Sequence, residues 1–296
     1  MRALLVAVIG LVLVSGANLA RADVKAIDKL VKSHLVELGK LSDDDALSLT
    51  KDAIVINERG TQVDLSERDG CVSGAVANSF YGCLQADIKH VPGKLTIGSD
   101  GDIGWFQGPF TVSITGEDPD GNAVKTKETH RVAGVAIKEG KDWKIAAIMY
   151  VAPIPDSQLF KARERAVPTQ ANVGGQKKIA AIIANGWFPG KFATNVSTKT
   201  PLIASGTSPA EFKTAAAATK LVQSWDKLKI QASQIDVKVL PGGAYAWVTA
   251  ETKLPLKKDK TKAVAMKMVM LIHDDGDASG WRWVSIAYQP PFEIGG

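Results

Sequence analysis

The sequence predicts an α+β protein of two similar halves, each with N-terminal helices packed on a curved antiparallel β-sheet. Three observations carry this. Apolar residues at 27, 30, 31, 35 and 38, with His34 on the same face, recur with helical spacing. Extended stretches punctuated by turn residues follow in each half. Finally, WKIAAIMYVAP from Trp143 and WRWVSIAYQPP from Trp281 align without a gap, sharing Trp, then Ile at +5, Tyr at +7 and Pro at +10.

The elements follow in order. Ile27, Leu30, Val31, His34, Leu35 and Leu38 form the buried stripe of an amphipathic helix. The stretch DGDIGWFQGPFTVSI from Asp100 places Trp105 in a strand, and PGGAYAWVTAETKLPL from Pro241 places Trp247 at the corresponding point. Turns are expected at 99–102, 118–122 and 139–142, and at 241–243, 257–260 and 274–280 in the second half. Trp105 and Trp143 are 38 residues apart and Trp247 and Trp281 are 34 apart, a difference that turns absorb. The second half opens on Ile179, Ile182 and Ile183 at helical spacing. A second helix is signalled by Ser208-Pro209-Ala210-Glu211, which joins an N-cap, a first-turn proline and a capping-box acid.

Residues 1–22 read as a signal peptide. Arg2 precedes an apolar or small run to Val14, and Ala20-Arg21-Ala22 supplies a small-x-small cleavage site, so cleavage is expected before Asp23. The run is short of the ~20 apolar residues that span a bilayer. No cysteine follows it to take a lipid, so a secreted or periplasmic location is expected, with no membrane partner after cleavage. The remaining domains are 23–155 and 176–296, with a connection over 156–175 suggested by prolines, a charged stretch at 161–165 and a Gly pair.

Without residues 1–22 the chain holds 34 basic and 31 acidic residues, scattered along it, which argues against a nucleic-acid partner. The densest cluster, Lys257, Lys258, Lys260 and Lys262, reads as a solvated hairpin tip. Cys71 and Cys83 are twelve apart, each directly after a glycine, Gly70 and Gly82. Export favours a disulfide between them, with two separately buried thiols as the alternative. A bridge would contribute on the order of 2–3 kcal/mol. No histidine lies near enough in sequence to make them a metal site, and no cofactor is expected.

The helices followed by a meander, GDIGWF, THRVAGVAIKEGKDWKI across the last hairpin and a last strand ending in proline resemble the SnoaL-like branch of the nuclear transport factor 2-like (NTF2-like) superfamily, with the second half as a diverged copy. The resemblance implies two cone-shaped domains whose sheets curl around a cavity for small apolar or amphipathic molecules, and pairing of domains sheet to sheet, here as an intramolecular pseudodimer. Its members include isomerases, cyclases and dehydratases as well as binding proteins, so the fold does not choose among them.

Candidate site residues are few. His34 lies on the apolar face of its helix. His130 and Arg131 are neighbours in a strand, so only one of them faces the interior. Periodicity does not decide which, and the resemblance favours Arg131. Tyr150 and Tyr288 occupy equivalent places. Ligand contacts are expected from Arg131, Tyr150, Trp187, Lys267 and Tyr288. Catalysis, by isomerisation, cyclisation or hydration, would use His34 or His130 with Arg131 and Tyr150. The strand 128–138 carries no aspartate, and no nucleophile elbow, phosphate loop or metal-ligand spacing is present. The expected function is binding of a small apolar or amphipathic ligand, or a paired scaffold, without turnover. An enzyme and an interaction module with filled interiors are the alternatives.

Overall fold

The computed structural model describes residues 23–41, 43–58, 60–66, 74–81, 85–117, 122–153, 164–166, 172–184, 195, 202–205, 220, 223, 227, 230–255, 261–276 and 280–289. The signal segment, Cys71, Cys83 and Trp187 lie outside the described residues, as does most of the helix expected from Ser208.

Helix α1 (23–39) buries Ile27, Val31, Leu35 and Leu38 completely, the stripe its spacing requires. Its start is tied down by Asp23, which accepts from Trp143 Nε1 at 3.2 Å and pairs with Lys138 Nζ at 3.3 Å. Its far end lies against the second strand. A Cβ at Gly39 would sit 3.0 Å from the His90 backbone nitrogen, so the absence of a side chain there permits the approach.

The first sheet contains β1 (Leu49–Ile56), β2 (Gln85–Pro92), β3 (Thr96–Asp100), β4 (Ile103–Glu117), β5 (Ala123–Glu139) and β6 (Asp142–Val151). Helix α2 (Ala75–Tyr81) falls between β1 and β2. The order is β1-β6-β5-β4-β2, with β3 also on β4. Gly101 and Gly140, at φ 58° and 64°, open the two-residue turns between β3 and β4 and between β5 and β6. β6 buries seven consecutive residues, as expected of a strand covered on both faces.

The second sheet contains β7 (Glu164–Ala166), β8 (Asn172–Val173), β9 (Leu202–Ser205), β10 (Gln231–Val239), β11 (Tyr245–Pro255), β12 (Lys262–Asp274) and β13 (Trp281–Gln289). Its order is β8-β10-β11-β12-β13-β9, with β7 on β12. Thus β7 and β8, inside the stretch read as a connection, pair into the second sheet. Helix α3 (Lys177–Ile182) buries Ala180, and Ile183 just beyond it is also buried, while Ile182 points outward at 41% exposure.

The two sheets share one topology. β9-β13-β12-β11-β10 repeats β1-β6-β5-β4-β2, including a parallel pair at one edge, β1 on β6 and β9 on β13. This is the duplicated arrangement that the tryptophan pattern announces.

The cone shape is not observed. Both sheets are open: among the described residues no strand pairing joins β1 to β2 or β8 to β9. They are also mixed rather than purely antiparallel. Helices cover one face of the first sheet, and the second sheet covers the other. Ile103, Trp105, Ala133, Val135 and Met149 pack against Tyr245, Trp247, Val269, Leu271 and Val284, with α3 on the outer side of the second sheet. Two sheets that bury each other's faces satisfy their apolar surface without closing.

This apolar contact joins the halves. The bridges at its rim are weaker: Lys238 Nζ meets Asp52 at 2.5 Å and holds its carboxyl below the usual range, but both groups are well exposed, so the pair contributes no more than about 1 kcal/mol. Tyr245 donates to Asp100 at 2.8 Å.

Gly98 lies under the Trp105 ring, where a Cβ would come within 2.3 Å of a ring carbon. Gly98→Ala should therefore destabilise the chain by about 1–3 kcal/mol, read as a lower urea midpoint at unchanged m-value.

Candidate functional site

Strand alternation and register bring two of the four histidines, His90 and His130, to the helix-facing side of the first sheet, and α1 brings a third, His34, to the same cluster. Phe110 is directly opposite His130, Val132 opposite Tyr150, and Val112 opposite His90. Residues two apart share a face, so His90, Phe110, His130 and Tyr150 all look toward α1 and α2. Phe110 is the hub, its ring centroid 5.3 Å from His90, 5.6 Å from His130 and 6.2 Å from Tyr150. The helices complete the cluster. His34 of α1 hydrogen-bonds Tyr150 through Nε2 and Ser48 Oγ through Nδ1 at 2.7 Å. From α2, Phe80 meets Tyr150 edge-on at 4.7 Å and Tyr81 bonds His90 Nε2.

The cluster is deeply buried: His34 is 1% exposed, His90 5%, His130 7% and Tyr150 not at all. Its imidazoles are driven apart electrostatically. Burial pushes His90 down to about 4, a tendency that the nearby Leu35 carbonyl opposes and His130 reinforces. His90 is therefore neutral, and its Nδ1 makes no aligned hydrogen bond. Burial also acts to lower His130, but the Glu58 carboxylate on Nδ1, through hydrogen bond and charge, and Glu128, 3.3 Å from Nε2, together raise it. Burial, with the charge of Glu58 behind it, raises the Tyr81 phenol, which stays protonated and donates to His90. One protonation-prone imidazole thus stands across Phe110 from one that resists protonation.

Counting from the paired strands, the second half has Ile230 where the first has His90, Thr252 for Phe110 and Met266 for His130, while Tyr288 matches Tyr150. Ile230, Met266 and Tyr288 belong to an apolar core around α3. Among the described residues the polar cluster has no counterpart in the second half.

Of the residues singled out from sequence, His34, His130 and Tyr150 come together. Arg131 does not join them: it lies opposite Pro109 and Val151 and faces the side of the sheet turned to the second half. The lean toward Arg131 is therefore corrected in favour of His130, because Arg131 shares its side with Val135, which lies in the contact between sheets. Lys267 and Tyr288 are separated in the same way. Tyr288 lies in the core of the second half, and Lys267 faces the first half, 3.9 Å from Glu251.

The sequence reading missed His90, Tyr81 and Glu58. For His90 a signal existed: Ala86, Ile88 and His90 alternate with Asp87, Lys89 and Val91. Among the described residues no group of three or more His, Cys, Asp or Glu side chains is placed to hold a metal.

No family model and no curated protein matches this chain. It is similar to several solved structures. These include a putative calcium/calmodulin dependent protein kinase II association domain from Xanthomonas campestris, with 20% identity, 45% of this chain and 87% of that one covered, and TM-score 0.30. An NTF2-like protein with a cystatin-like fold from Novosphingobium aromaticivorans gives 13%, 47%, 86% and 0.34. An NTF2-like superfamily protein from Salmonella enterica gives 16%, 45%, 92% and 0.35. Each likeness covers less than half of this chain, is distant, and is one of fold alone.

Proposed function

We propose that this is an exported protein of the SnoaL-like, NTF2-like type whose first half binds a small amphipathic molecule, and whose second half is a paired scaffold. The supporting observation is the contrast between the halves. Three imidazoles and the Tyr150 phenol are buried in the first, where Ile230 and Met266 perform the packing in the second. Burying polar groups is costly relative to apolar ones, and packing alone does not require them. A ligand with an apolar body and one or two oxygens would lie against Phe80 and Phe110 and take over the hydrogen bonds that Tyr150 makes with His34 and His130 Nε2 with Glu128.

The test is native mass spectrometry of the full chain from its own host, with organic extraction of bound molecules. A co-purifying small molecule is expected in the wild type and in Tyr288→Phe, with occupancy reduced roughly tenfold in Tyr150→Phe and His130→Leu, the loss of one strong hydrogen bond. Equal occupancy in all four proteins overturns the reading.

The Glu58–His130 pair favours a second reading, proton transfer. An imidazole held by a carboxylate and biased toward its cation can donate to an oxygen of the ligand, with neutral His90 nearby to accept a proton. Turnover that follows the ionisation of His130, and disappears in Glu58→Gln while the ligand still binds, would distinguish an enzyme from a binding protein.

A further inference from the structure

A second site lies outside this cluster, at the junction of the halves. A cleft of about 270 Å³ is lined by Gln62 of the first half and by Gln234, Asp236, Thr249, Glu251 and Lys267 of the second. The register accounts for the grouping: Lys267 is opposite Glu251, Glu251 is opposite Gln234, and Thr249 is opposite Asp236. All five second-half side chains therefore stand on one face of β10, β11 and β12, the face turned to the first sheet. Farther along, the same face is apolar and packs through Trp247 and Leu271. Gly60 of the first half closes over it, close enough that a Cβ there would be 3.1 Å from Lys267 Cβ.

These polar groups converge without satisfying one another. Lys267 Nζ is 3.9 Å from Glu251, beyond hydrogen-bond reach, although the Lys267 side chain is only 23% exposed. Among the described residues, no hydrogen bond engages the side chains of Gln62, Gln234, Asp236, Glu251 or Lys267. A merely solvated rim would also leave charges without partners. It would not bring one ammonium, two carboxylates and two amides from both halves around a single concavity.

We propose that this cleft binds a small zwitterion of α-amino-acid size. A simple anion would satisfy Lys267 but meet Asp236 and Glu251, and a simple cation would do the reverse. A molecule carrying both charges answers both, with its carboxylate on Lys267, its ammonium on the acidic side chains, and Gln62 and Gln234 fitting the remaining polar atoms. The volume is below the range of about 300–1,000 Å³ typical of drug-sized ligands, which restricts the site to small metabolites. Because Gln62 belongs to one half and the charges to the other, occupancy would couple the two.

Isothermal titration calorimetry of the full chain with individual L-amino acids from alanine to glutamine tests this, with propylamine and propionate as single-charge controls. At least one amino acid should saturate at one molecule per chain, with neither control binding comparably. Lys267→Met, Asp236→Asn and Gln62→Ala, each checked for an unchanged unfolding transition, should each weaken binding by about tenfold or more. The proposal is overturned if no amino acid saturates, if propylamine or propionate binds as well as the zwitterion, or if every correctly folded variant binds like the wild type. His130 and Tyr150 lie on the opposite face of the first sheet, so His130→Leu should leave this binding intact even if the ligand of the first site is lost.

Discussion

Replacing Trp105 with alanine should cost about 3–5 kcal/mol, the range for removing a large aromatic side chain from a packed core. The ring is 3% exposed and lies between the sheets, 6.1 Å from the ring of Tyr245 and packed over Gly98. Its environment is shared: the same apolar cluster contains Trp247, Val269 and Leu271 of the second half. The loss should therefore spread to both halves. In hydrogen exchange, amides of β11 and β12 should lose protection along with those of β4, and urea unfolding should begin at lower denaturant. If protection falls only in the first half, the contact between sheets is not what stabilises the second. Rim bridges such as Lys238–Asp52 cannot substitute, since an exposed pair contributes several-fold less than a buried indole.

Much of this architecture was legible in the sequence, for identifiable reasons. α1 writes its buried stripe at helical spacing. The hairpins write theirs in Gly101 and Gly140, and the duplication in the Trp105/Trp247 and Trp143/Trp281 pairs. β1 was not legible, because LTKDAIVI lacks alternation: its burial runs in pairs, and its register on β6 is interrupted between Leu49 and Ile54. Whether a sheet closes depends on hydrogen bonds between strands far apart in sequence, which local patterns do not encode, and here the expected cone gave way to two open sheets. The site was half legible for a similar reason. His34 carries its facing in its own spacing, whereas Tyr150, in a strand buried on both faces, stands out only through its match to Tyr288. The choice between His130 and Arg131 depended on which side of the strand meets the helices, and only the pairing of Phe110 with His130 decides that. Glu58 follows β1 in a turn with no pattern of its own, 72 residues from the histidine it holds.

Acid should destabilise the fold through His90, by about 3 kcal/mol between pH 6.5 and 4. Burial holds its folded-state value near 4, against about 6.5 in the unfolded chain. Between these values the unfolded chain binds more protons than the folded one, so stability falls as the pH falls through that window. His130 has the opposite sign. Its value is raised by Glu58 and Glu128, so its contribution is present in full below about 6.5 and is lost as the pH rises through the raised value. The groups nearest to His90, Tyr81 and His130, do not reverse the first effect: Tyr81 remains protonated across this range, and a cationic His130 makes a second charge at His90 more costly. Urea midpoints at pH 4.5 and 7.5 separate the contributions. His90→Leu should flatten the acid limb, whereas His130→Gln should lose stability mainly on the acid side and leave the alkaline side near wild type. Parallel acid limbs for wild type and His90→Leu would show that another group carries the effect, and would remove the reason for placing a neutral imidazole across Phe110 from a charged one.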